Sequence, residues 1–190
     1  LILLEPATAP GAELKMRIFN ADGGEVEACG NATRCVAALI GHAATIETLG
    51  GLLQVVPADG GAQVTLNPPQ FEWDAIPLAM PMDTRDMPVG WSGGDEARPC
   101  ELARPIAVNV GNPHVVFLVP EADAVPLDQI GAIIEHDPLF PERVNVNVAS
   151  VDGPDRLQLR VWERGVGLTQ ACGTGACASA VAAIRAGKVV

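Results

Sequence analysis

"QACGTGACASAVAAI" (Gln170–Ile184) sets a cysteine just before a run of small residues spaced as a helix. A thiol among Ala and Gly is ordinarily a small buried hydrophobe, so Cys172 at a helix start calls for a reason. A second stretch, "EACGNATRCVAALI" (Glu27–Ile40), follows the same plan around Cys29. Working outward, "LKMRIFNADGGEVEACGN" (Leu14–Asn31) can be set without gaps over "LQLRVWERGVGLTQACGT" (Leu157–Thr174). Leu14 then meets Leu157, Arg17 meets Arg160, Gly24 meets Gly167, and Ala28-Cys29-Gly30 meets Ala171-Cys172-Gly173. Ile18/Val161, Phe19/Trp162 and Glu27/Gln170 are near matches, so the chain carries an internal duplication. Each copy opens on alternating apolar residues, a strand signal, then a Gly-rich turn, a short extended piece and an Ala-rich helix. The helices are expected from Gly30 to Ala43 and from Gly173 to Ala186, the second stopped by Gly187. The fold class expected is α+β, with two similar domains over 1–74 and 75–190.

The rest of the chain fits that frame. "LLQVV" and "QVTL" read as strands of the first half, and the Pro-rich "NPPQFEWD" (Asn67–Asp74) as the linker. A Pro/Gly-rich loop is expected near "MPVGWSGGD", then strands at "PIAVNV" and "HVVFLV" and a helix at "PLDQIGAIIEH". Strands at "RVNVNVASV" and "RLQLRVWE" close the second half, and the final "KVV" reads as a strand beginning. The 190 residues are 48% hydrophobic, enough for a substantial core. A formal net charge of −11 with only 12 Lys plus Arg argues against nucleic acid and against an anionic membrane surface. Apolar runs are strand-sized, too short to span a bilayer, and "LILLEPATAP" lacks the basic region of a signal peptide. Five cysteines without framework spacing point to a reducing, cytoplasmic setting. The missing initiator Met and the closing "KVV" make a partial chain the expectation.

A helix N-terminus presents unpaired N–H groups and about half a positive charge, and attracts anions. Thiols there ionise more easily, in known cases with a pKa of about 3.5–7.5 instead of about 8.5. The Gly after each cysteine permits close backbone approach, and Asn31 and Thr174 add short hydrogen-bonding side chains. Two such tips facing each other would box a carboxylate, with one sulfur on each side of the adjacent carbon. That suits inversion of a stereocentre beside a carboxylate: a thiolate removes the α-proton on one face and a thiol returns one on the other. Pyridoxal phosphate, the other solution, needs a Schiff-base lysine. Only Lys15 and Lys188 exist, and neither has a suitable context, so the chemistry reads as cofactor-free.

"RIFNADGGEVEACGNATRC", "GNPH" (Gly111–His114), "FPERVNV" (Phe140–Val146) and "VWERGVGLTQACGTGACA" together resemble, in order, the signatures of the diaminopimelate epimerase family. These are cofactor-independent two-cysteine isomerases of the lysine and peptidoglycan pathway. The resemblance implies two pseudo-symmetric domains, each a mostly antiparallel β-roll or barrel-like sheet around a central helix, with the active site in the cleft between them. It implies Cys29 and Cys172 as the catalytic pair and Gly30, Asn31, Gly173 and Thr174 as the cradle of the reacting carboxylate. It assigns Asn20, Asn112, Asn145, Glu163 and Arg164 to the remaining groups of a diamino-dicarboxylic acid. His114 and Glu163 would tune the thiols. No metal, cofactor, nucleic acid or membrane is implied, and a homodimer stands as the candidate assembly. The family's N-terminal Gly-Asn-Asp-Phe stretch has no match here, in keeping with a partial chain.

Blander readings stand beside these. Cys35 and Cys177, inside their helices, are expected in the core, and Cys100 has no partner. The spacings Cys29-x5-Cys35 and Cys172-x4-Cys177 suit zinc poorly. His114 is as well explained as a turn histidine, and His42 and His136 as ordinary ones. Asn147, on the same strand as Asn145, is expected to face water. Rival functions are another racemase of the same fold, such as a proline racemase, a redox dithiol module built on Cys29 and Cys172, and a non-catalytic carboxylate binder.

Overall fold

Alternation of apolar and polar residues builds the first unit, Leu1–Pro68, of the computed structural model, which describes residues 1–21 and 23–190. Its strands are β1 (Ile2–Pro6), β2 (Leu14–Phe19), β3 (Glu25–Val26), β4 (Ala44–Thr48), β5 (Gly51–Ala58) and β6 (Gly61–Thr65), with helix α1 (Gly30–Ile40) between β3 and β4. The sheet runs β1-β2-β4-β5-β6, with β3 added on β2. Every pairing is antiparallel except β2 with β4. Residues two apart share a face of a strand, and Met16, Ile18, Ile46 and Val55 turn inward to meet Val36 and Ala37 of α1. The helix stops at Gly41, whose left-handed φ of 73° suits glycine.

The second unit, Pro69–Val190, contains β7 (Gly90–Gly93), β8 (Cys100–Ala103), β9 (Ile106–Asn109), β10 (Pro113–Leu118), helix α2 (Leu127–Glu135), β11 (Asn145–Val151), β12 (Leu157–Glu163), β13 (Gly167–Thr169) and helix α3 (Gly173–Arg185). Its main sheet runs β13-β12-β11-β10-β9, antiparallel except between β10 and β11, while β7 and β8 form a separate hairpin. The two faces of the main sheet differ in kind. Val115, Phe117, Val146 and Val148 join Leu127, Ile130 and Ile134 of α2 in a wholly apolar core. The alternate residues His114, Asn145 and Asn147 are also buried, on the opposite face. α3 packs against β9, β10, β11 and β12. A polar interior under a helix of Gly, Ala and Ser is where a site can be built.

The duplication extends to strand register. Ile18 pairs with Val26 and Phe19 with Glu25 in the first unit; the matched Val161 pairs with Thr169 and Trp162 with Leu168 in the second.

Several expectations need correction. α1 ends at Ile40 rather than Ala43, and Ala44–Thr48 is a strand, because Gly41 breaks the helix first. Ile2–Pro6 is a strand paired along β2, and the Pro/Gly-rich loop contains β7 and leads to β8. The closing "KVV" is not a strand. Cys35 and Cys177 are exposed. They fall off the stripes of buried residues, Thr33, Val36 and Ala37 on α1 and Thr174, Ala178 and Ala182 on α3.

Gly131 of α2 lies flat on Trp162 of β12, so that a Cβ there would sit 2.5 Å from the indole ring. Gly131→Ala is expected to lower stability by about 1–3 kcal/mol, read as a fall in the urea midpoint. An unchanged midpoint would contradict this close seating.

Candidate active site

In the first unit the end of β2 and the start of α1 carry the residues singled out by sequence. Asn20 closes the turn after β2, its backbone N–H donating to Gly24 O at 2.9 Å and its carbonyl accepting from Gly23 at 3.1 Å. Cys29 is the N-cap of α1, with extended φ and ψ of −145° and 102°, and is half-buried. Its carbonyl accepts from both the backbone N–H and the hydroxyl of Thr33, each at 2.9 Å. Its sulfur accepts no capping bond. Gly30 and Asn31 open the helix, with Asn31 exposed.

The second unit gathers Asn112, His114, Asn145, Glu163, Arg164, Cys172, Gly173 and Thr174. Cys172 is the N-cap of α3, and its Sγ accepts the Gly175 N–H at 3.3 Å. The Thr174 hydroxyl lies 3.4 Å from the same sulfur. Asn112 donates to Thr174 Oγ1 at 3.4 Å and holds its Oδ1 3.0 Å from His114 Nε2. Asn145, paired in register with His114, ties two segments: it donates to Pro113 O at 2.8 Å and accepts the Arg164 N–H at 3.0 Å. Glu163, the last residue of β12, accepts the Thr169 hydroxyl at 2.6 Å. Arg164 donates to Glu142 O at 3.1 Å.

Two residues support this cluster, one misread from sequence and one not singled out. Asn147 does not face water. It is fully buried and donates toward His114 Nδ1 at 2.9 Å, because its strand position puts it on the face that also carries His114 and Asn145. Asn in the interior of a strand is disfavoured, and that was the available signal. Glu135, buried at the end of α2, accepts the Trp162 indole N–H at 2.6 Å and the Gly165 N–H at 2.9 Å. It thereby fixes the turn bearing Glu163 and Arg164 from behind. Its signal was an acid on the apolar side of "PLDQIGAIIEH".

The electrostatics depart from the helix-start expectation. Burial pushes the Cys172 thiol above its ordinary pKa, against the pull of donors from Thr174 and Gly175, and the negative charge of Glu163 adds to the rise. Removal from water therefore outweighs the helix-start donors at this sulfur. Burial also lowers His114 to about 3, helped by the positive charge of Arg164, so the imidazole is neutral at physiological pH. Among the described residues no group of His, Cys, Asp and Glu is placed to hold a metal ion, and no helix is long and apolar enough to cross a membrane.

In each unit a half-buried cysteine caps the start of a helix, and the Cys172 sulfur accepts a backbone N–H there. The second unit backs it with neutral hydrogen-bonding side chains and an acid–base pair at the end of β12. Such a tip can bind a carboxylate and exchange a proton at the carbon beside it.

Comparison with known proteins bears on this site. A family model for diaminopimelate epimerase matches residues 1–71 and 106–190. A diaminopimelate epimerase of Sphingopyxis alaskensis is 75% identical, covering 100% of this chain and 67% of that protein. One of Erythrobacter litoralis is 63% identical over 98% of this chain and 66% of that protein. The chain thus spans about two thirds of the length of the curated relatives it matches. Among solved structures, a probable proline racemase from Agrobacterium radiobacter superposes with a TM-score of 0.66 at 19% identity, covering 100% of this chain and 61% of that one. A hydroxyproline epimerase from Agrobacterium vitis gives 0.65 at 18%, covering 100% and 60%. At these identities the structures show a shared fold.

Glu163→Gln removes the negative charge that opposes ionisation of Cys172. The pH midpoint of its alkylation, followed by mass spectrometry of the Cys172 peptide, is expected to move down. A midpoint that stays or rises would contradict the arrangement.

Proposed function

The chain belongs to the diaminopimelate epimerase family, and from that premise we propose that the full protein converts LL-diaminopimelate to meso-diaminopimelate by passing one α-proton between two cysteines. The observation that carries the reading is the repeated Ala-Cys-Gly, with each cysteine the N-cap of a helix at the matched place in its unit. One sulfur, as thiolate, takes the α-proton, and the electron pair left behind spreads into the adjacent carboxylate. Helix-start N–H groups stabilise that enolate-like charge. The other sulfur, as thiol, delivers a proton to the opposite face, which inverts the carbon and leaves the two sulfurs with exchanged protonation states. Nothing is oxidised and no group departs, so no cofactor is called for.

The burial that keeps Cys172 protonated suits it to the thiol role at the outset. Gly30, Asn31, Gly173 and Thr174 cradle the reacting carboxylate. Asn20, Asn112, Asn145, Glu163 and Arg164 take the remaining amine and carboxylate groups. A neighbouring acid and base at the end of β12 match a distal centre that carries both charges, which proline lacks. The protein works in the cytoplasm on a small molecule.

The test is α-proton exchange of diaminopimelate in heavy water, followed by NMR, with the full-length protein. Cys29→Ser and Cys172→Ser are each expected to slow exchange by about 100-fold to 10,000-fold. Unchanged exchange in either variant, or exchange of proline in place of diaminopimelate, would overturn the reading.

A further inference from the structure

We infer that Asn147 is a positioning residue which, by selecting the tautomer of His114, sets the direction of a hydrogen-bond relay ending on the sulfur of Cys172. The inference rests on Cys172 being one of the two reacting sulfurs. Its own steps come from the second unit alone.

The orientation of the Asn147 amide is fixed at its start. Nδ2 lies 3.3 Å from the carbonyl of Val115 and 2.9 Å from His114 Nδ1. A carbonyl oxygen only accepts, so the group facing Val115 must be the NH2. The same NH2 faces Nδ1, which is therefore the unprotonated ring nitrogen, and the proton of the neutral imidazole is on Nε2. Nε2–H donates to Asn112 Oδ1 at 3.0 Å. That leaves the amide nitrogen of Asn112 to donate to Thr174 Oγ1 at 3.4 Å. With its oxygen accepting from Asn112, the Thr174 hydroxyl has its proton free for Cys172 Sγ, 3.4 Å away. Each link determines the next, and the last adds a donor to a sulfur that already accepts from Gly175 N–H.

The opposite tautomer would reverse the line. A proton on Nδ1 would leave Nε2 as an acceptor, and Asn112 would have to turn its NH2 toward it. Asn112 Oδ1 would then claim the Thr174 hydroxyl proton, and the sulfur would lose that donor. The orientation that prevents this has a cost. Asn147 Oδ1 is buried and accepts no hydrogen bond among the described residues. It points toward α3 where Gly175 offers room, since a Cβ at Gly175 would lie 2.8 Å from it. A buried carbonyl left unpaired is disfavoured, and its retention here fits a side chain selected for what its NH2 does. Charged groups bearing on the relay are Glu163, which faces Cys172 from β12, and Arg164, which acts on His114; the first turn of α3 carries no acid.

Two measurements on the full-length protein test this, neither requiring turnover, so that failure here and failure of the epimerase reading remain distinguishable. Nitrogen-15 NMR of the labelled histidines at neutral pH should find His114 protonated at Nε2 with Nδ1 as acceptor; a proton on Nδ1 would overturn the proposal. Asn147→Leu, a neutral side chain without a donor, should leave about tenfold less Cys172 thiolate at a fixed pH below its midpoint, read from the alkylation rate. In a Thr174→Val background, where the last link is already gone, the same substitution should change that rate by less than about twofold. An effect of equal size in both backgrounds, or no effect in a folded Asn147→Leu protein, would overturn the relay.

Discussion

The structure turns on where a helix begins. In each unit a strand, a Gly-bearing turn and a short returning strand deliver the chain to Ala-Cys-Gly, and the helix starts at that glycine, Gly30 or Gly173. The cysteine becomes the N-cap, with extended backbone, at the edge of a first turn whose N–H groups have no partner within the helix. If that start slipped by one turn, the sulfur would enter the helix side, and that of Cys172 would lose the Gly175 N–H. The identical register of β2 with β3 and of β12 with β13 fixes the start in both units.

The copies share this frame and differ in what surrounds it. Arg17 and Arg160 occupy matched positions, yet Arg17 pairs with Glu25 while Arg160 donates to the carbonyls of Ala122 and Val125. Cys172 accepts a bond from Gly175 and has Thr174 beside it, whereas the Cys29 sulfur accepts no cap bond. The two sulfurs therefore meet different surroundings, as the proposed two-base reaction requires of a base and an acid. The polar layer of the second unit, His114 with Asn112, Asn145 and Asn147, supplies neutral dipoles rather than charge. Such groups can stabilise a thiolate as it forms without holding it ionised throughout.

Much of this was legible in the sequence. The duplication located both helix-start cysteines, β2, β12 and the Gly turns, because a short covalent pattern fixed each of them. The strands that were missed had other reasons for being strands. Ala44–Thr48 continues an Ala-rich helix in composition, and only the left-handed Gly41 separates the two. Gly90–Gly93 and Cys100–Ala103 sit in a Pro/Gly-rich segment whose pairing depends on Trp91 and Leu102 reaching the core. From sequence Asn147 reads as facing water and Glu135 is not singled out, because their roles are set by neighbours distant in sequence, His114 and the turn after β12. The raised pKa of Cys172 was hidden for a similar reason: burial is a property of the packed unit, whereas the helix-start donor is local.

In the proposed reaction Cys29 and Cys172 grip one carbon from opposite sides. A crystal structure of the full-length protein with a bound diaminopimelate analogue tests it most directly. Each Sγ is expected about 3–3.5 Å from the α-carbon or its hydrogen, on opposite faces, with the carboxylate against the two helix starts. Either sulfur turned into the interior of its own unit, away from that carbon, would contradict it.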